Sequence, residues 1–187
     1  VEPAPTSLFS RKAYIRRKSK FSQPQLTEID NQLQQLLQQD SERLSKTHFF
    51  HGRYENIYLD APASDCGLDT LDSLIDESLN NAADLLQTDK SELKIGYWFN
   101  LMQPGQVTTL HRHDDFDELL SGVVYLAVPE HSGDLILQVN NQEIVIPPVS
   151  GDFVYFSPET PHRVSENLST RHRLSIGMNI GPRSSLH

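Results

Sequence analysis

The stretch "TLHRHDDFDELLSGVVYL", residues 109–126, places two histidines and four acids within eight positions and then runs straight into an apolar segment. Imidazole nitrogens and carboxylate oxygens are the usual donors to a divalent metal, so His111, His113, Asp115 and Glu118 are candidate ligands. His162 follows about fifty residues later, after a Pro-rich turn in "GDFVYFSPETPHRVSEN". In a strand, residues i and i+2 face the same side, so such a pair aims at one point while a distant strand adds a third donor. Three donors on one face of an octahedral ion leave the opposite face open for other ligands. Taken singly, each histidine fits a polar turn just as well.

A second constellation lies in "RHRLSIGMNI" near the C-terminus. Period-two alternation puts Leu174, Ile176 and Met178 on one face and Arg173, Ser175, Gly177 and Asn179 on the other. The first face requires a core. The second sets a planar guanidinium fork beside a hydroxyl, which together bind a carboxylate. Arg173 stands eleven residues beyond His162, so a metal site and an anion site are expected in one cavity.

The elements that must hold these residues change in texture along the chain. Leu26, Ile29, Leu33, Leu36, Leu37 and Leu44 recur at three- and four-residue spacing, as do Leu71, Leu74, Ile75, Leu79, Ala82, Leu85 and Leu86. Both sets form the apolar stripe of an amphipathic helix, the second with Asp69 as expected N-cap and Asp72 in its first turn. Residues 1–93 therefore read as largely helical. From residue 94 to 181 short runs rich in β-branched and aromatic residues alternate with turn residues, as in "KIGYWFNLM", "SGVVYLAV" and "DFVYFS". "LILQVNNQEIVI" reads as a hairpin turning at Asn140-Asn141. The expected fold is mainly β with flanking helices: a jelly-roll or barrel backed by N-terminal α-helices, in a single domain over residues 1–187.

Composition narrows the classes. The formal net charge of −9 argues against general nucleic-acid binding, although residues 1–20 carry six basic residues against one acid. No apolar run is long enough for a membrane helix, and "VEPAPTSLFSRKAYIRRKSK" has no apolar core of a secretory signal. The lone Cys66 excludes an internal disulfide and a cysteine-based zinc site, so a reducing cytoplasm is expected.

With these residues in view, the chain resembles the Fe(II)/2-oxoglutarate-dependent oxygenases, whose core is a double-stranded β-helix. Their His-x-Asp, distal His and following Arg are matched by His113 with Asp115, by His162 and by Arg173, with Ser175 completing an Arg-x-Ser. A group of bacterial and phage oxygenases of this kind is matched more closely. Its motifs correspond to Trp98-Phe-Asn100, His111-Arg-His113, Ser121-Gly-Val-Val-Tyr125-Leu126, Gly133-Asp-Leu135 and Arg173-Leu-Ser175 with Asn179. The resemblance covers about residues 94–181. It implies Fe(II) held by His113, Asp115 and His162, with His111 the alternative ligand if the His-x-His register applies. It also implies 2-oxoglutarate anchored by Arg173 and Ser175, with Asn100 and Tyr125 as further contacts, and hydroxylation of an unidentified small-molecule or peptidyl substrate. The cupins, which share the barrel, are the rival: His111, His113, Glu118 and His162 fit their four-ligand motif, but that motif does not call for Arg173, Ser175 or Asn179.

Overall fold

The protein is described by a computed structural model over residues 8–112 and 117–183. In chain order the elements are β1 (Tyr14–Lys18), α1 (Gln23–Gln39), β2 (Leu44–Phe50), β3 (Arg53–Leu59), α2 (Asp69–Leu86) and β4 (Leu93–Met102). They are followed by β5 (Thr108–His111), β6 (Leu120–Ala127), β7 (Leu135–Val139), β8 (Gln142–Ile146), β9 (Asp152–Phe156), β10 (His162–Val164) and β11 (Arg173–Pro182). Seven strands form one sheet in the order β1-β9-β6-β11-β4-β3-β2, and four form the other in the order β5-β10-β7-β8. Every pairing is antiparallel, and the two faces meet as a double-stranded β-helix.

The helices lie where the apolar stripes place them. α1 opens on a reciprocal cap: the Ser22 side chain accepts from the Gln25 amide and the Gln25 side chain accepts from the Ser22 amide. It ends at Gln39, so Leu44 does not continue the stripe but opens β2. α2 begins at Asp69, with Leu68 rather than Asp69 as N-cap and no side-chain cap bond. Leu68 is buried, so packing rather than capping fixes that helix start. Asp69 and Asp72 both lie in the first turn, where the helix dipole favours them.

The apolar faces of both helices join Leu174, Ile176, Met178 and Ile180 of β11 in one buried cluster on the back of the large sheet. A second cluster fills the space between the sheets, with Met102, Tyr125, Val154 and Phe156 from the large sheet against Leu135, Leu137, Ile146 and Val164 from the small one. Tyr155 ties the layers together, its hydroxyl 2.8 Å from Ser78 Oγ and 3.2 Å from Asn81 Nδ2 on α2. Asn140 and Asn141 turn the β7–β8 hairpin with φ of 51° and 62°, the left-handed pair that a type I′ turn requires. Cys66 is a buried free thiol. Among the described residues no helix is long and apolar enough to cross a membrane.

The N-terminal part also contains three strands beyond the two helices anticipated from the sequence. β1 extends the large sheet beside β9, and the β2–β3 hairpin adds its opposite edge beside β4.

Close approach makes one glycine indispensable. Gly177 on β11 pairs with Trp98 on β4, and a Cβ there would lie 2.5 Å from the indole. Gly177→Ala is expected to displace the ring at a cost of about 1–3 kcal/mol. Urea denaturation and the emission of Trp98, the sole tryptophan, check this. Unchanged stability and emission would contradict it.

Candidate metal and carboxylate site

β11 orients the site. Its even-numbered side chains are in the helix-backed core, and Arg173, Ser175 and Gly177 face the pocket between the sheets. Register then brings in the neighbours: Ser175 lies opposite Asn100 on β4 and Tyr125 on β6. Asn179, on the same face further along, lines a separate groove with Lys94 and Glu118.

Arg173 is 1% exposed. Its Nη1 lies 3.5 Å from Ser175 Oγ, a long contact, and its guanidinium carbon is 5.5 Å from the Tyr125 ring centroid. Among the described residues Nε, Nη2 and the buried Tyr125 hydroxyl find no partner at hydrogen-bonding geometry, although Arg173 and Tyr125 lie close enough to interact. No carboxylate of the described residues makes an ion pair with Arg173. Desolvation pulls its pKa down, opposed by the electrostatics of Tyr125 and Asp134. Burial also pushes the Tyr125 phenol up to about 12. A charge and three donor groups without a partner among the described residues, all lining one pocket, fit an incoming carboxylate.

Two histidines line the same pocket. β10 pairs with β5 so that His162 is directly opposite His111, with ring centroids 4.1 Å apart. His162 Nδ1 lies 3.0 Å from the Thr160 carbonyl, and His111 Nδ1 lies 2.9 Å from the Thr109 carbonyl. A carbonyl only accepts, so each neutral ring carries its proton on Nδ1 and its lone pair on Nε2. That backbone contact is the common way to orient a metal-binding imidazole.

The sequence-derived candidates separate as follows. His111, His162, Asn100, Tyr125, Arg173 and Ser175 all line one pocket. His113 and Asp115 lie outside the described residues. Glu118 lines the groove with Asn179 instead, and among the described residues no three His, Cys, Asp or Glu cluster tightly enough to hold a metal. The four-ligand cupin arrangement thus lacks its glutamate in the histidine pocket. Asn100 reaches the pocket with both ends of its amide engaged: Oδ1 accepts from Arg53 Nη2 at 2.5 Å, and Nδ2 donates to Thr108 Oγ1 at 2.8 Å.

Two residues of this wall carry no signal in the sequence. Arg53 and Glu55 on β3 are 8% and 4% exposed and form a 3.5 Å ion pair beneath the β4–β5 connection. Nothing about "GRYENIY" sets them apart from solvated hairpin charges.

Comparison with known proteins agrees with this geometry. The family model for the 2OG-Fe(II) oxygenase superfamily matches residues 97–181, from within β4 almost to the end of β11. Over these residues the chain is similar to that superfamily, the oxygenases that use iron(II) and 2-oxoglutarate. Among solved structures, a Pseudomonas putida prolyl-4-hydroxylase shares 18% identity with a TM-score of 0.69, covering 95% of this chain and 97% of that one. SnoK, a non-haem α-ketoglutarate-dependent carbocyclase of nogalamycin biosynthesis, shares 14% at a TM-score of 0.70, covering 97% and 84%. A Trichoplax adhaerens prolyl hydroxylase, solved with a hypoxia-inducible-factor peptide, shares 15% at 0.68, covering 97% and 89%. At such identities the likeness is one of fold. No curated protein sequence matches the chain.

The buried phenols have a consequence in alkali. Tyr125 and Tyr155 both rise to about 12, mainly through burial, from an ordinary value of 10.0. Above pH 10 the unfolded chain releases these protons while the folded one retains them, so stability falls as pH rises from about 10 to 12. Denaturant unfolding at pH 9 and pH 11 should show this loss, and Tyr125→Phe should lose less. An equal loss in the variant would contradict the assignment for Tyr125.

Proposed function

We propose that the protein hydroxylates a C–H bond of a substrate still to be identified, coupled to conversion of 2-oxoglutarate to succinate and CO2. The observation that carries this reading is Arg173: a buried cation with two nitrogens unpartnered among the described residues, lining the same pocket as His111 and His162. Its fork and the Ser175 and Tyr125 hydroxyls would hold the distal carboxylate of the ketoacid. That anchor orients the ketoacid along the pocket towards the histidines and keeps water from its place. Iron(II) and 2-oxoglutarate, when bound, supply the oxidising chemistry, dividing O2 between the ketoacid and the substrate.

His162 would be one metal ligand. The cross-strand pairing of His111 with His162 favours the His-x-His register, in which His111 and His113 are the partners of His162. In the His-x-Asp register, His113 and Asp115 take those places and His111 moves to the substrate side. Hydroxylation is one of several outcomes open to this chemistry: the similar structures are named for hydroxylation and for carbocyclisation. The small closed scaffold, matched end to end by the Pseudomonas putida prolyl-4-hydroxylase, favours the hydroxylase reading.

An anaerobic titration with Fe(II) and 2-oxoglutarate tests the reading through the weak visible charge-transfer band of the chelate. The wild type should develop the band. Arg173→Ala should need about 100-fold more ketoacid to reach it, the cost of leaving a buried carboxylate without its cation. His111→Ala and Asp115→Ala decide the register, since only the variant of a true ligand loses the band. Metal binding without a band in the wild type would overturn the assignment.

A further inference from the structure

Glu55 lies behind the pocket wall yet reaches the metal end through two bonds. Its Oε2 accepts from the Thr109 amide at 2.9 Å and its Oε1 accepts from the Thr109 hydroxyl at 2.8 Å. The carbonyl of the same Thr109 accepts from His111 Nδ1. Arg53 neutralises the carboxylate and braces the strand connection, donating to the Val107 carbonyl at 2.7 Å and the Leu101 carbonyl at 3.0 Å. It also fixes the Asn100 amide. An acid and a base are thus withdrawn from water, the acid holding Thr109 of β5 and the base the connection that leads into it; among the described residues this short strand pairs otherwise with β10 alone. Such a burial is expensive, and replacing the pair by apolar residues would often serve stability as well.

We propose that the Arg53–Glu55 pair is a positioning device for His111, clamping Thr109 so that its carbonyl holds the imidazole in the Nδ1–H tautomer with Nε2 presented as donor. The inference rests on the reading of His111 as a metal-side residue. A carboxylate that grips both the amide and the hydroxyl of Thr109 fixes the peptide plane between Thr108 and Thr109 together with the Thr109 side chain, and so limits the backbone torsions of Thr109 through which its carbonyl is aimed. Without that grip the ring takes either tautomer, and part of the population offers the wrong nitrogen. Arg53 also lies close enough to Arg173 for that charge to weigh against its own. With Glu55 in place the pair is neutral, so Arg173 alone sets the positive field that a ketoacid carboxylate meets.

Two readouts on the intact protein test this: the ¹⁵N shifts of His111 without metal, which report the tautomer, and the affinity for Mn(II). The wild type should show the Nδ1–H form. Glu55→Ala should give mixed tautomers and bind Mn(II) at least about 10-fold more weakly, as loss of a ligand's supporting bond does elsewhere. Glu55→Gln keeps an oxygen for the Thr109 amide and should restore the tautomer. If Glu55→Ala fails to fold, Thr109→Val carries the test, because it removes only the hydroxyl contact and leaves both charges; a partial loss of Nδ1–H form and a weaker Mn(II) affinity are expected. A folded Glu55→Ala with the wild-type tautomer and affinity would overturn the proposal, and so would a Thr109→Val that changes neither. His111→Ala separates this failure from that of the site: if it binds Mn(II) like the wild type, His111 is not a ligand, the positioning proposal falls, and the proposed function continues only in the His-x-Asp register. If it loses Mn(II) while Glu55→Ala does not, only the positioning role falls.

Discussion

A guanidinium taken out of water without a carboxylate beside it costs several kcal/mol, and the rest of this molecule is arranged around that cost. Arg173 is buried at the start of β11, with a tyrosine ring and a long contact to a serine as its nearest polar company. A stable core would not keep such a group for its own sake, because an apolar side chain of similar volume would fill the space at less expense. The charge makes sense as half of a pair whose other half arrives with a ligand. Binding of a carboxylate then returns what desolvation took, which couples ligand occupancy to stability.

β11 converts this requirement into geometry. One face must be apolar to seat α1 and α2, and the strand's period of two then leaves the opposite face for Arg173, Ser175 and Gly177. Its two neighbours, β4 and β6, bring Asn100 and Tyr125 to the same level by register alone. The small sheet closes the pocket from the other side and delivers His111 and His162 as a cross-strand pair. Arg173 and the histidine pair thus come from opposing sheets.

The second half of the fold is legible in the sequence because its strands are short runs of β-branched and aromatic residues set off by turn residues, several of them buried on both faces. "RLSIGMNI" sorts its residues onto the two faces that β11 shows, and "NN" marks the β7–β8 turn. Arg173 and Ser175 can be picked out by the alternation of β11, His162 by its residue type after a Pro-rich turn, and Tyr125 through the motif that the chain resembles. The β2–β3 hairpin stays hidden because it inverts the rule. On β3 the inward residues include Arg53 and Glu55, while Tyr54 is exposed, as are Phe49 and Phe50 on β2. Charged-in, aromatic-out is a pattern that no hydrophobic period detects, and it arises because those charges serve the pocket wall. The end of α1 is hidden for a simpler reason: Leu44 continues a helical spacing by coincidence, yet it is the first buried residue of β2.

The most direct test of the central claim is calorimetric titration of the Mn(II)-loaded protein with 2-oxoglutarate and with its 5-methyl ester, which differ in charge only at the carboxylate meant for Arg173. The account predicts that 2-oxoglutarate binds and that the ester binds about 100-fold more weakly, because a neutral ester leaves the guanidinium buried and unpaired. Equal affinity for the two would mean that Arg173 does not hold the distal carboxylate, and the burial of its charge would then need a different cause.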